Sequence, residues 1–437
     1  MKRGRKLVVV YAAAVLALML TLPVCAGGQQ GKQGTGGTIR VATQFPDLTE
    51  GIGLTADKIF QKFRAEHPEI DLQVEGAPGD ALRDKIKIDL AAGNLPDVIY
   101  YWGLSSLNPM VEAGLLLDVS KYIEDSDAVD WDDWGPDAWA EVSTDGERYW
   151  AIPVQYFTDY VLANTELFDK YGFEIPETYD ELISVSQVFA DNGIIPMSVG
   201  SKGGNPSHFF FAEVWYQLGS QEYMRDVTAG NASYNCPETI RTAEIILDMA
   251  KNRVFPADPI GSGDFGPPVA LYNEGKAAMI VAQTWMIRQF KQDIVDKSKI
   301  TDMPTMPGSV TDPKTFTVGG YNNTWAIKAK QYDNPATHDG FVDLLDGLTS
   351  DEFFAAVTQW ALPAKKIDLG ALDVPPLYMS VYNYYVDQGT RNMHWGHMPD
   401  PISQEVFSTA MDELWTQNIT PKAFAEKIQA SIDDARR

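Results

Sequence analysis

The residues of this chain that could do chemistry are flat rings set beside hydrogen-bonding groups. Tyr101 and Trp102 end an apolar run at 96–102. Tyr156, Phe157 and Asp159 lie in QYFTDY, Trp285 follows Gln283-Thr284, and Gly320, Tyr321 and Asn322 close TVGGYNN. Gln44 and Phe45 follow a first apolar run, and Trp395 sits in NMHWGHMP. Ring faces cover the C–H face of a neutral cyclic molecule, while carboxylates, amides and backbone groups meet its hydroxyl rim. That is reversible recognition, not bond making. Each aromatic residue is as readily a core side chain, and Asp159 can instead anchor a hinge by hydrogen bonds.

Bond-making and ion-holding alternatives fit the spacing less well. A hydrolase of glycosidic bonds needs an acid and a nucleophile or base at a set separation, and no motif pairs two carboxylates here. The acidic stretch 124–139 lacks the alternating ligands and bend glycine of a calcium loop, and its Trp131, Trp134 and Trp139 are expected to pack inward. Tyr382, Tyr384 and Tyr385 invite a ferric site but read more simply as helix packing. The glycine-rich loop 200–206 lacks the spacing of a nucleotide loop. No cofactor or metal is expected, and an enzyme is not.

The elements that must position these residues alternate strand and helix. Ile39 and Val41 mark a strand over 38–43. Ala56, Ile59, Phe60 and Phe63 share one helical face, and residues 71–75 form a second strand. Leu82, Ile86 and Leu90 mark another helix, and 96–102 a third strand. That order implies a parallel sheet with ligands beyond the carboxyl ends of its strands, near Gln44, Phe45, Tyr101 and Trp102. The organising stretch is 145–168. A turn at Asp145-Gly146 precedes a short strand ending near Pro153, a polar-aromatic break, a second strand, and a cap at Asn164 or Thr165. Two strands joined without a tight turn suit a chain crossing between lobes. Later, Thr178 and Glu181 form a capping box, and Thr420-Pro421 opens a last helix.

The crossover at 145–168, the segment FQKFRAEHPEIDLQVEG…DLAAGNLPDVIYYW, the strand NEGKAAMIVAQTW and the GG loop before Tyr321 resemble bacterial family 1 extracellular solute-binding proteins, the sugar-capturing subunits of ABC importers. The resemblance covers roughly residues 38–433. It implies an α/β, two-lobed periplasmic-binding-protein fold (type II-like), each lobe a mixed sheet flanked by helices, with a ligand cleft between lobes. Expected boundaries are 38–154 and 306–362 for the N-terminal lobe, and 157–304 and 363–437 for the C-terminal lobe. The return crossing is expected at 303–308. The implied function is capture of a mono- or oligosaccharide by lobe closure and delivery to an ABC permease. The implied site is Gln44, Phe45, Tyr101, Trp102, Tyr156, Phe157, Asp159, Trp285, Gly320, Tyr321, Asn322 and Trp395. A non-sugar solute such as a polyamine or metal remains the alternative ligand class.

Composition agrees with an exported binding protein. The formal net charge is −25, which repels nucleic acid and anionic lipid surfaces. Lys2, Arg3, Arg5 and Lys6 precede an apolar run over 7–22, the pattern of a secretory leader over 1–24. Leu22-Pro23-Val24-Cys25 resembles a lipoprotein box with valine where a small residue is usual; an ordinary cleavage site is the alternative. With Cys25 acylated, residues 25–37 form a Gly/Gln tether, and contact with the membrane is through that lipid only, on the extracytoplasmic side. Cys236 is then left without a disulfide partner and is expected to be buried. A monomer is expected.

Overall fold

The computed structural model describes residues 36–385, 390–392 and 397–436. The expected leader, the lipidation candidate Cys25, most of the expected tether, and Trp395 lie outside the described residues.

The first sheet grows from the alternation read above. Strands β1 (Gly37–Thr43), β2 (Ile70–Gly76) and β3 (Val98–Trp102) are parallel, with β1 in the middle. They are linked by helices α1 (Gly51–Glu66) and α2 (Gly79–Ala91). The α1 stripe of Ile52, Ala56, Ile59, Phe60 and Phe63 is buried, each large side chain contributing about 1.5–3 kcal/mol by leaving water. Strand β4 (Ala151–Pro153) completes the sheet through a later strand described below. The acidic stretch packs its rings as expected: Trp134 and Trp139 are buried and Trp131 is half-buried against Trp139.

The second sheet is organised on one ten-residue strand, β5 (Gln155–Asn164). Asn164 caps the helix that follows by accepting from the Leu167 amide. Helix α3 (Tyr179–Asp191) opens on the expected capping box, with Thr178 and Glu181 exchanging hydrogen bonds. Strand β6 (Ile195–Ser198), helix α4 (Ser207–Leu218) and strand β7 (Ala277–Gln283) follow. Strands β8 (Ser298–Thr301) and β9 (Phe316–Tyr321) are antiparallel to β5, as is β7. Then β10 (Asn323–Ile327) returns to the first sheet between β3 and β4. The short β11 (Leu362–Pro363) rejoins β5, and β12 (Thr390–Asn392) pairs with β9. Hydrophobic clusters cover both faces of the second sheet, and a separate cluster fills the first lobe. Cys236 is buried in the second lobe, its Sγ 3.3 Å from Thr239 Oγ1.

The return crossing lies later than 303–308. Met303, Met306, Phe316 and Val318 are buried in the second lobe's core, and β9 pairs with β5, so the chain changes sheet only at Asn322. Pro304, Pro307 and Gly308 punctuate a loop, whereas the true crossing is a one-residue break inside one extended run. Three connectors run side by side. Val154 N–H donates to Asn323 O at 2.8 Å, Asn322 N–H to Gln155 O at 2.9 Å, and Ala364 N–H to Val154 O at 2.9 Å. Among the described residues, no helix is long and apolar enough to cross a membrane.

Candidate functional site

Parallel strands end together, so β1 and β3 deliver Gln44, Phe45 and Trp102 to one rim of the first lobe. Asn323, opposite Trp102 in the ladder, joins them. The Phe45 ring lies 4.8 Å from Tyr100, and Tyr100 lies 4.8 Å from the buried Trp325. Gln44 Oε1 accepts from Asn323 Nδ2 at 3.5 Å, while its Nε2 is sealed without a partner. The Arg83 guanidinium sits 4.3 Å over the Trp102 ring, a cation–π arrangement. Tyr101 does not share this rim. Strand alternation turns it to the opposite face from Tyr100 and Trp102. There it is buried and lines a narrow interlobe seam with Met110 and Gln404, its hydroxyl pushed up to about 12 by burial.

The facing rim belongs to the second lobe. Phe157 is buried, its ring 5.0 Å from Trp285 and 5.7 Å from Phe209. Trp285 also lies 5.9 Å from Phe265. Phe209, Phe265 and Trp285 are half-exposed. Two residues along the same face of β5, Asp159 is 1% exposed and neither carboxylate oxygen has a hydrogen-bond partner. Gln283, directly across the ladder, is fully buried with neither side-chain polar atom in a well-formed hydrogen bond, though its proximity partly offsets the rise of the Asp159 carboxyl. Burial holds the Asp159 carboxyl far above the usual carboxylate range, and the negative field of Glu213 raises it further. Glu213 itself, half-buried one turn after Phe209 on α4, is pushed up to about 8, chiefly by desolvation and then by Asp302. Burial holds the neighbouring His208 down to about 4, so its ring is neutral at ordinary pH.

The hinge residues play a different part. Tyr156 and Tyr321 pair across the ladder with ring centroids 5.4 Å apart, and Tyr321 donates to Asp137 at 3.1 Å. With Pro363, Lys365 and Tyr382 they line a cavity of about 340 Å³ at the connectors. Asn322 acts through its backbone, its N–H bonded to Gln155 and its carbonyl accepting from Gly103 at 2.6 Å. Gly320 lies opposite Phe157. At its neighbour Gly319 an added Cβ would fall 2.3 Å from Phe157 O. The glycines thus serve strand closeness as well as any ligand. Tyr384, one of the tyrosines read as a ferric candidate, donates to Asp302 at 2.8 Å. Among the described residues, no group of three His, Cys, Asp or Glu side chains could hold a metal ion.

The lobes also touch away from the hinge. His397 Nε2 and Glu141 Oε2 are 2.7 Å apart, Gln404 donates to Ser105 Oγ at 2.6 Å, and Lys87 pairs with Glu405. Above this seam lies a space of about 430 Å³ between Asn108 and Trp150 on one lobe and Met398 and Pro399 on the other. Sequence reasoning missed Arg83, Phe209, Glu213 and Phe265. The i, i+4 spacing of Phe209 and Glu213 was the available signal for two of them.

A model of the family described as bacterial extracellular solute-binding protein matches residues 47–352. The galactooligosaccharide-binding protein of Bacillus subtilis is 24% identical over 334 residues, 74% of this chain and 73% of that protein. A probable sugar-binding periplasmic protein of Mesorhizobium japonicum is 25% identical over 222 residues, 50% of this chain and 52% of that protein. The chain spans about half the length of several of the curated relatives it matches. Among solved structures, a chitin oligosaccharide binding protein has a TM-score of 0.80 at 20% identity, covering 91% of this chain and 98% of that one. That likeness carries the two-lobed fold.

Proposed function

The chain belongs to the bacterial extracellular solute-binding protein family, and from that premise we propose that it captures a mono- or oligosaccharide between its lobes and delivers it to the membrane subunits of an ABC importer. The observation that supports this reading is the gathering of rings at strand ends near the connectors of both lobes, Trp102 under Arg83 on the first and Trp285 against the buried Phe157 on the second. Such walls suit a molecule with apolar faces and a polar edge. The names of the relatives, galactooligosaccharide-binding and sugar-binding, support the same class.

The mechanism is a hinge transition about the three connectors. Ligand bridging the two rims favours the closed arrangement by its differential affinity for it. The contacts of His397 with Glu141 and of Gln404 with Ser105 join the lobes away from the connectors, where closure would add to them. The protein performs no bond chemistry. Export through the leader and acylation at Cys25 place it on the extracytoplasmic side as a monomer.

A thermal-shift screen of mono- and oligosaccharides tests the ligand class. A ligand at 100 times its Kd stabilises the native state by about 2.7 kcal/mol, a rise of several degrees in Tm. A screen in which no sugar shifts Tm and a cation or amine does overturns it. Mass spectrometry of membrane-extracted protein tests the anchor. Diacylated Cys25 is expected, and an unmodified N-terminus beyond residue 25 rejects it.

A further inference from the structure

The buried acids of the second rim are not explained by a ligand that offers hydroxyls alone. Asp159 is 1% exposed and Gln283 across the ladder is fully buried, and apart from the stabilising influence of the Gln283 side chain on the carboxyl no group completes either of them. Thr284 Oγ1, the next residue, is also sealed without a partner. Two carboxylates, Asp159 and Glu213, are close enough to repel one another. Asp302 adds a third negative field, and the adjoining Tyr160 is itself raised in part by Asp159. Among the described residues, no lysine or arginine pairs with either Asp159 or Glu213.

A pair of buried carboxyl groups without a cation, each with at most one neutral partner, costs several kcal/mol to ionise, and something that brings positive charge would complete it. The geometry indicates what completes this one. The cluster presents acceptors, two from Asp159, one from Gln283 and those of Glu213. A hydroxyl brings one donor and no charge, whereas a primary ammonium brings three donors and the missing positive charge. The rings above it, Phe157, Phe209 and Trp285, lie with centroids 5.0–5.7 Å apart and present the faces a cation favours. Phe209, Trp285 and Glu213 are half-buried, so this side of the cluster reaches the surface.

We propose that the ligand carries a protonated amine, bound by Asp159, Glu213 and Gln283 beneath the Phe157–Phe209–Trp285 wall. Within the carbohydrate reading, on which this rests, the ligand is an amino sugar with a free amine. Asp159 is the selecting residue and Glu213 its partner in charge.

Isothermal titration of the mature protein with matched probes tests it: glucose, glucosamine and N-acetylglucosamine, then galactose, galactosamine and N-acetylgalactosamine, with putrescine as a sugar-free amine. In at least one series the free amine is expected to bind at least 10-fold tighter than its hydroxyl and N-acetyl counterparts. In Asp159→Asn that preference for the amine over its hydroxyl counterpart is expected to fall within about 2-fold, read as a ratio whatever the absolute affinities become; Glu213→Gln serves as the second variant should the first fold poorly. At pH 7 amine binding is expected to release protons, read from titrations in buffers of different ionisation enthalpy. Equal affinities within both series overturn the amine subsite and leave the carbohydrate reading standing. Binding of putrescine with no sugar bound overturns the carbohydrate reading and keeps the amine. Absence of binding by all seven probes at millimolar concentration overturns the amine subsite.

Discussion

The two rims of the cleft are built on opposite principles. On the first lobe, Phe45, Tyr100 and Trp325 pack inward as one column, and the Arg83 guanidinium lies on Trp102. Packing fixes that wall. On the second lobe the rings stay half-exposed and cover carboxyl groups that burial keeps far from their usual range. Electrostatics poises that wall. A preformed face meeting a face with unmet acceptors lets one lobe position a ligand while the other selects it. The two share one device: each rim phenylalanine hangs on a glycine. A Cβ at Gly76 would lie 2.1 Å from Phe45 O, and one at Gly319 would lie 2.3 Å from Phe157 O.

That shared device gives the largest expected effect. Real Cβ atoms do not approach backbone so closely, so Gly76→Ala and Gly319→Ala must each push strand from strand. A loss of about 3 kcal/mol in urea unfolding is expected for each. The comparison is sharpened by what else changes. Gly319 lies on β9 within the connectors, so its variant should also alter ligand affinity in whatever fraction folds. Gly76 lies at the end of β2, so its variant should act on the first lobe's stability. Variants within 0.5 kcal/mol of the parent would show that neither closeness is needed.

Next in size are the two rim tryptophans. Trp285→Ala and Trp102→Ala each remove a ring face from opposite sides of one ligand. A loss of about 2 kcal/mol, roughly 30-fold in Kd, is expected for each, with far-ultraviolet circular dichroism unchanged. If only Trp285 matters, the first rim is a support and the cleft is one-sided. If neither matters, the ligand lies elsewhere.

The strengths of sequence reading follow the same division. Strands β1 to β3 and helices α1 and α2 were legible because their apolar residues alternate or recur at helical spacing. Caps at Asn164, Thr178 and Thr420 were legible because a single side chain satisfies a nearby amide. Phe157 and Trp285, expected from strand ends and family pattern, come together in one aromatic group with Phe209. The return crossing at Asn322 was not, because extended chain lies on both sides of it and periodicity carries no mark where hydrogen-bonding partners change. Tyr101 and Trp102 were not separable, because a strand end does not by itself say which side each of two neighbours faces; Tyr101 lines the interlobe seam with Met110 and Gln404. The pair of Asp159 and Glu213 was hidden for another reason. The residues are 54 positions apart, and only the packing of α4 against β9, which itself pairs with β5, brings their fields together.

A smaller effect reads the second wall directly. Glu213 binds its proton more tightly folded, at about 8, than at its ordinary 4.5, and Asp159 is raised as well. The contribution to stability is complete below the ordinary value and declines as pH rises through about 8, where the folded group also ionises. The unliganded protein is therefore expected to melt about 5 °C higher at pH 5 than at pH 8. Glu213→Gln should flatten that slope. On the first lobe, Asp47 and Asp145 are lowered by local backbone and side-chain hydrogen bonds, so their response lies below pH 4, outside the window. A slope unchanged in Glu213→Gln would place the pH response outside the second wall.

The smallest expected effect tests whether the two walls are held together by more than ligand. His397 and Glu141 meet at 2.7 Å across the seam, each about a quarter exposed. Exposed ion pairs of this kind contribute about 0.2–1 kcal/mol once side-chain entropy and screening are counted. The pair joins the two lobes, so if the lobes part without ligand, as the proposed hinge motion has it, whatever it contributes appears in ligand affinity. His397→Gln and Glu141→Gln are each expected to weaken binding about 2- to 3-fold, and the double variant no more than the worse single one, because both remove the same contact. Strict additivity would mean that the two act separately and that closure is driven by the rims alone. Coupling would mean that the first lobe, with no buried carboxylate at its own rim, supplies one at the seam instead, where a neutral or charged imidazole can meet it without being sealed from water.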